Sequence, residues 1–100
     1  MDIIEFNQSL GYTTPKDISD NFSKTLAMYC ITYGYEVDVI VKKKSNRTIY
    51  VVSPKDKSNI DHLINSINET NTIVHGTLFK FHATKYEEKK LCVEIIKGQY

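Results

Sequence analysis

The sequence predicts an α+β domain: one antiparallel sheet of about four strands, covered on one face by two or three helices, in the order β-α-β-β-α-β-α. Three observations predict it. Ile18, Phe22, Leu26 and Tyr29 recur at helical spacing. Val37, Val39 and Val41 alternate with Asp38, Ile40 and Lys42, and a second alternating run follows at Ile49–Val52, as in a hairpin. Ile60, Leu63, Ile64 and Ile67 then share one helical face, and Phe79 and Phe81 alternate with Lys80 and His82. A sheet with one apolar face packs most economically under a single layer of helices.

Taken in order, Ile3–Phe6 is too brief an apolar run for a helix and reads as a strand. The segment Ser9-Leu10-Gly11-Tyr12-Thr13-Thr14-Pro15-Lys16-Asp17 is a helix entrance, with Thr14 as N-cap, Pro15 at the first helical position and Asp17 placed for a capping box. The helix it opens runs to about Tyr33 and stops at Gly34, where a left-handed cap suits glycine. Strands over Val37–Lys42 and Ile49–Val52 flank a turn over Lys43–Arg47 centred on Ser45-Asn46, and Ser53-Pro54 ends the hairpin. The second helix is expected to start from Ser58 as N-cap and to dissolve at Asn68-Glu69-Thr70-Asn71. Leu78–Ala83 is the next strand. In the last segment Leu91, Val93 and Ile95 alternate as in a strand, while Leu91, Cys92, Ile95 and Ile96 make a helical stripe. Thr84 and Glu87 offer a capping box, and no Gly, Asn or Pro lies between Ala83 and Leu91 to turn a hairpin, so helix is the reading taken.

One hundred residues, 41% hydrophobic and 25% charged, suit one domain with one core. No apolar run reaches the length of a membrane span, and the acidic start Met1-Asp2-Ile3-Ile4-Glu5 is unlike a signal peptide, so a cytoplasmic protein is expected. A net charge of +1 supplies no overall drive toward nucleic acid or an anionic membrane. Cys30 and Cys92 lie far apart among apolar residues and read as two reduced core thiols.

The element order and several local features resemble the histidine-containing phosphocarrier family, HPr. Gly11-Tyr12-Thr13-Thr14-Pro15 is similar to that family's Gly-hydrophobic-His-x-Arg-Pro turn, one residue shorter. Lys57-Ser58-Asn59-Ile60 resembles the Lys-Ser-Ile that opens its second helix at a regulatory serine. Gly76, and the charged Tyr86-Glu87-Glu88-Lys89-Lys90, also fall in familiar places. The phosphoacceptor histidine and its assisting arginine have no counterpart: Tyr12, Thr13 and Thr14 fill the turn, and Arg47 is the chain's only arginine. A threonine phosphoester does not pass its phosphate on as an imidazole does. The resemblance therefore implies a relative without carrier chemistry. Its partner-binding surface would join Tyr12, Thr13 and Thr14 to Lys57, Ser58 and Ile60.

Other constellations are sparse. His62, His75 and His82 share no ligand spacing with a cysteine or carboxylate, so no metal and no cofactor are expected. Asp17, Asp20, Asp38 and Asp61 are scattered, which gives acid–base catalysis no pair to work with. Lys42, Lys43, Lys44 and Arg47 gather at the hairpin tip beside Tyr50, a pattern that can grip phosphates and stack a base. Tyr50 is assigned with Ile40, Val52 and Leu78 to the sheet face turned away from the helices, as an apolar-aromatic patch suited to a protein interface. The expected function is a small non-enzymatic regulatory or protein-interaction domain with a protein partner; the alternative is nucleic-acid binding through the basic tip.

Overall fold

The computed structural model describes residues 2–55, 60–68, 71–87 and 89–99. Along the chain they form α1 (Ile3–Ser9), α2 (Pro15–Asp20), α3 (Phe22–Thr32), β1 (Val37–Lys44), β2 (Arg47–Pro54), α4 (Asp61–Asn68), β3 (Asn71–Val74), β4 (Thr77–Glu87) and β5 (Lys90–Gln99). The strands make one antiparallel sheet in the order β1-β2-β5-β4-β3. The α+β class with a single antiparallel sheet is as expected. The order β-α-β-β-α-β-α and the counts of four strands and two or three helices are not: the described residues begin with a helix, end with a strand and hold five strands and four helices.

Each departure has a local cause. Ile3–Phe6 is helical because the Asp2 carboxylate caps it, accepting from the Glu5 N–H at 2.8 Å. Gly11, at φ +95°, ends this first helix. Its N–H donates to the Gln8 carbonyl and that of Tyr12 to the Asn7 carbonyl, both at 3.0 Å, a Schellman closure. The segment read as a helix entrance is thus also a helix exit. Thr14 does cap α2, its Oγ1 accepting from the Asp17 N–H at 3.1 Å, with Pro15 behind it.

The long helix expected from Thr14 to Tyr33 breaks at Asn21. The Asn21 side-chain amide donates to the Asp17 carbonyl at 2.8 Å, a local bond that competes with the regular helix ladder. Gly34, at φ +86°, closes α3 with a second Schellman pair: Gly34 to the Ile31 carbonyl and Tyr35 to that of Cys30.

The hairpin β1–β2 turns at Ser45-Asn46 as read. A second two-residue turn, His75-Gly76 with both φ positive, joins β3 to β4 in a hairpin absent from the expected element order. The final segment is strand, not helix. Its alternation wins because β5 fills the gap between β2 and β4, pairing with both, and the chain reverses into it past a bulge at Lys85/Glu87.

The core lies between the helices and one sheet face. Phe79, Phe81 and Ala83 of β4, Leu91 and Val93 of β5, and Tyr50 and Val52 of β2 point into it. From the helices come Ile3, Ile4, Ile18, Phe22, Leu26, Tyr29, Leu63 and Ile67. Phe22 links the layers, stacked on Phe81 at 5.4 Å and edge-on to Tyr50 at 4.8 Å. Tyr29 does the same between helices: its ring meets Phe6 of α1, and its hydroxyl shares a three-hydroxyl cluster with Tyr33 and Ser66 of α4, each contact 3.1 Å.

Where β3 stops pairing, Asn68 continues its role. The side-chain amide donates to the Ala83 carbonyl at 2.9 Å and its oxygen accepts from the Ala83 N–H at 2.7 Å, standing in for the missing strand. Asn68→Ala is therefore expected to cost about 1–2 kcal/mol. Asn68→Asp should recover only part of the loss, because a carboxylate accepts from the N–H but cannot donate to the carbonyl. Urea denaturation of the two variants checks this; equal stability to the parent chain contradicts the bracing role.

Candidate functional site

The residues expected to carry function occupy three places. At the start of α2, Thr14 spends its hydroxyl on the cap, Tyr12 packs partly against the core and Thr13 is exposed. Ile60 belongs to the core, 6% exposed, so its side chain offers no contact surface there. Lys57 and Ser58, including the expected Ser58 cap, lie outside the described residues; α4 begins at Asp61.

The four cations of the hairpin do not form one patch. Strand alternation places Lys42, Lys44 and Arg47 on the face away from the helices and Lys43 on the helix side. Arg47 donates to both carboxylate oxygens of Glu94, at 2.8 and 2.9 Å. Lys42 Nζ donates to the Tyr86 hydroxyl at 3.1 Å and lies 5.2 Å from its ring centre. Tyr50 faces the core, not the open side, and is 8% exposed; burial raises its phenol above its ordinary value. It cannot stack a base from there. Val52 likewise faces inward, which corrects the assignment of both residues to the outer face.

Between the α2–α3 junction and the hairpin lies an open cleft of about 510 Å³, with Ser19, Ser23, Lys43, Thr48, Tyr50 and Lys97 on its walls. Lys97 donates to the Ser19 hydroxyl at 3.1 Å. Asp20 and Glu94 stand in the same cleft against Lys43, Arg47 and Lys97, so its charges nearly cancel. Among the described residues no group of three or more His, Cys, Asp or Glu could hold a metal ion, and no helix is long and apolar enough to cross a membrane.

The outer sheet face is the more distinctive surface. Ile40, Ile49, Val51, Ile73, Leu78, Cys92 and Ile96 alternate onto it, and no helix among the described residues packs against it. Its two halves differ. Over β2, Ile49 and Val51 are buried, while the Lys42–Tyr86 contact arches from β1 to β4 above them. At the other end Ile73 pairs directly with Leu78, Ile96 lies one diagonal step away, and Gly98 has open space where a side chain would stand. Ile73 is 44% and Ile96 50% exposed. Of these residues, the sequence reading had placed only Ile40 and Leu78 on the outer face. Ile73 was missed with β3, and Ile96 with the helical reading of the last segment.

Cys30 and Cys92 are both free thiols on opposite sides of the sheet. Burial pushes the Cys30 thiol up to about 12. Cys92, expected in the core, is instead half-buried on the outer face because strand alternation turns it away from Leu91 and Val93, and it lies 3.2 Å from the Thr84 hydroxyl.

Comparison with known proteins finds no matching family model, no similar curated protein and no similar solved structure.

Glu94 gives the outer face a pH dependence. Its hydrogen bonds from Arg47 hold the carboxyl below its ordinary value against the opposing effect of burial, and the charges of Arg47 and of His82, its partner across the ladder, act in the same direction as the hydrogen bonds. A depressed folded-state pKa contributes stability that is present above the ordinary glutamate value and lost as the pH falls through the folded value. Glu94→Gln should therefore lower stability at neutral pH and above, converge with the parent chain as the pH falls, and so flatten the acid side of the stability profile. Thermal melts from neutral to acidic pH check this; parallel profiles for the two proteins contradict it.

Proposed function

We propose that this chain is a small non-enzymatic protein-interaction domain whose contact surface is the outer face of the sheet. The observation that carries the proposal is the Ile73–Leu78–Ile96 patch, an apolar floor on a sheet side that the helices leave bare. Exposed aliphatic residues grouped around a glycine on a rigid sheet offer a flat, preformed surface of the kind that protein interfaces bury at their centre. The Arg47–Glu94 pair, beside Ile96 on the same face, and Lys80, directly opposite Ile96, border it as a polar rim. The non-enzymatic reading is supported by the scattered carboxylates and histidines.

The proposal rests on the sheet face and not on the resemblance to the phosphocarrier family. It moves the contact surface from the helix entrance, where Thr14 is occupied and Ile60 is buried, to side chains that are exposed. Nucleic-acid binding through the hairpin is the weaker reading, because two of its four cations already hold partners and the cations point to both faces of the strand pair.

Affinity capture from the native cell tests the proposal with two variants. Ile96→Glu, at a half-exposed site, should leave stability within about 0.5 kcal/mol of the parent and abolish capture of a protein partner. Thr13→Ala should retain that partner. Capture that survives Ile96→Glu and is lost with Thr13→Ala would return the surface to the helix entrance; recovery of nucleic acid in place of protein would favour the hairpin.

A further inference from the structure

β1 is an edge strand. Its inner side pairs with β2 over its whole length, and among the described residues nothing pairs with its outer side. Such an edge carries a row of unpaired N–H and C=O groups and is a template for another strand. Which groups point outward follows from the ladder. Lys44 and Arg47 close the two-residue turn, and the Lys55 N–H reaches the Glu36 carbonyl at 2.8 Å. The even-numbered residues therefore bond inward to β2, and the backbone groups of Val37, Val39, Val41 and Lys43 face outward.

The side chains along this edge carry their own complement. Glu36, Asp38, Ile40, Lys42 and Lys44 alternate onto the outer face: two acids, an isoleucine 52% exposed, two bases. Reversed end for end, the series reads base, base, isoleucine, acid, acid. We propose that two copies of the chain pair antiparallel through β1, with the two-fold axis at Ile40, and join their sheets into one of ten strands. In this register Ile40 meets Ile40, Asp38 meets Lys42 of the second copy, and Glu36 meets Lys44. On the helix side Val39 meets Val41, which is 42% exposed in the single chain.

Backbone and side-chain demands select the same register. The outward-facing groups of Val39 and Val41 become the hydrogen-bonded pairs at the centre, and Ile40 becomes the close, non-bonded pair. A shift by two residues toward either end keeps the backbone bonding but sets Ile40 against a charge, Asp38 or Lys42. Lysines on an edge ordinarily block pairing. Here they confine it to one partner and one register, since both outer-face lysines of β1 find a carboxylate. An extended segment of another protein would need this same charge order; a second copy has it by construction. The existing contacts of these residues, Lys55–Glu36 and Lys42–Tyr86, are solvent-exposed and leave the edge backbone free.

Sedimentation equilibrium of the purified chain, from about 10 μM to about 1 mM, reads the association directly. The parent chain is expected to dimerise in this range. Asp38→Lys and Lys42→Asp each set like charges opposite one another at two symmetric places and should weaken association at least about tenfold. An equimolar mixture of the two variants should associate again, because the lysine at position 38 of one variant then meets the aspartate at position 42 of the other, while Lys42 of the first meets Asp38 of the second. On the parent chain alone, amide exchange at Val39 and Val41 should slow as concentration rises, a readout that needs no variant. A chain that stays monomeric throughout, a dimer indifferent to both charge reversals, or exchange at Val39 and Val41 independent of concentration would each overturn the proposal. Neither this test nor its failure involves Ile73 or Ile96, so it stands apart from the outer-face interface proposed above.

Discussion

Most of this structure follows from one constraint: among the described residues, a five-stranded sheet is covered by helices on one face only. With a single helical layer, each strand must turn one set of alternate residues inward, and a slip of one residue would exchange the two faces entirely. The central strands β2, β5 and β4 meet that demand with Tyr50 and Val52, Leu91 and Val93, and Phe79, Phe81 and Ala83. The helices above are short, and side chains tie them together. The Phe22 ring bridges α3 to β2 and β4, and the Tyr29 hydroxyl joins α3 to α4 through Ser66. Burial raises the Tyr29 phenol above its ordinary value, so the hydroxyl stays protonated and available to this cluster.

Much of this was legible in the sequence. The hairpin β1–β2, the Thr14 cap, the stop at Gly34 and the helical stripe around Leu63 and Ile67 are local signals that tertiary context left intact. What the sequence hid depended on partners distant along the chain. Leu91–Ile96 satisfies both periodicities, and only the vacant place between β2 and β4 decides for strand. Ile3–Phe6 was short enough to misread, although Asp2 followed by Glu5 is the spacing of a helix cap. Asn21 breaks a helix through a bond to its own preceding turn, which no hydrophobic pattern registers. His75-Gly76 is a turn signal that went unused because its short strand, Asn71–Val74, carries little apolar alternation.

The same constraint explains where function would lie. Covering one face leaves the other bare, and leaving the sheet open leaves β1 at an edge. The first exposes Ile73 and Ile96 beside Gly98; the second exposes a strand whose charges run from acid to base. The expected basic tip dissolves on inspection of its geometry, since alternation sends its cations to two faces and Glu94 and Tyr86 engage two of them. A chain of nearly neutral net charge thus organises its charges locally, as rims and strand edges, with no single field across its surface.

The two cysteines report most directly on the central claim, that one sheet face is sealed by helices and the other is open. Cys30 is buried in the core from α3, and Cys92 sits on the outer face of the central strand. Labelling of the folded chain with a soluble thiol reagent, followed by mass spectrometry of its peptides, separates them. The account predicts that Cys92 reacts under native conditions and that Cys30 reacts only on unfolding. Reaction at Cys30 first, or equal protection of both, would mean that β5 is turned the other way or that the last segment is not this strand.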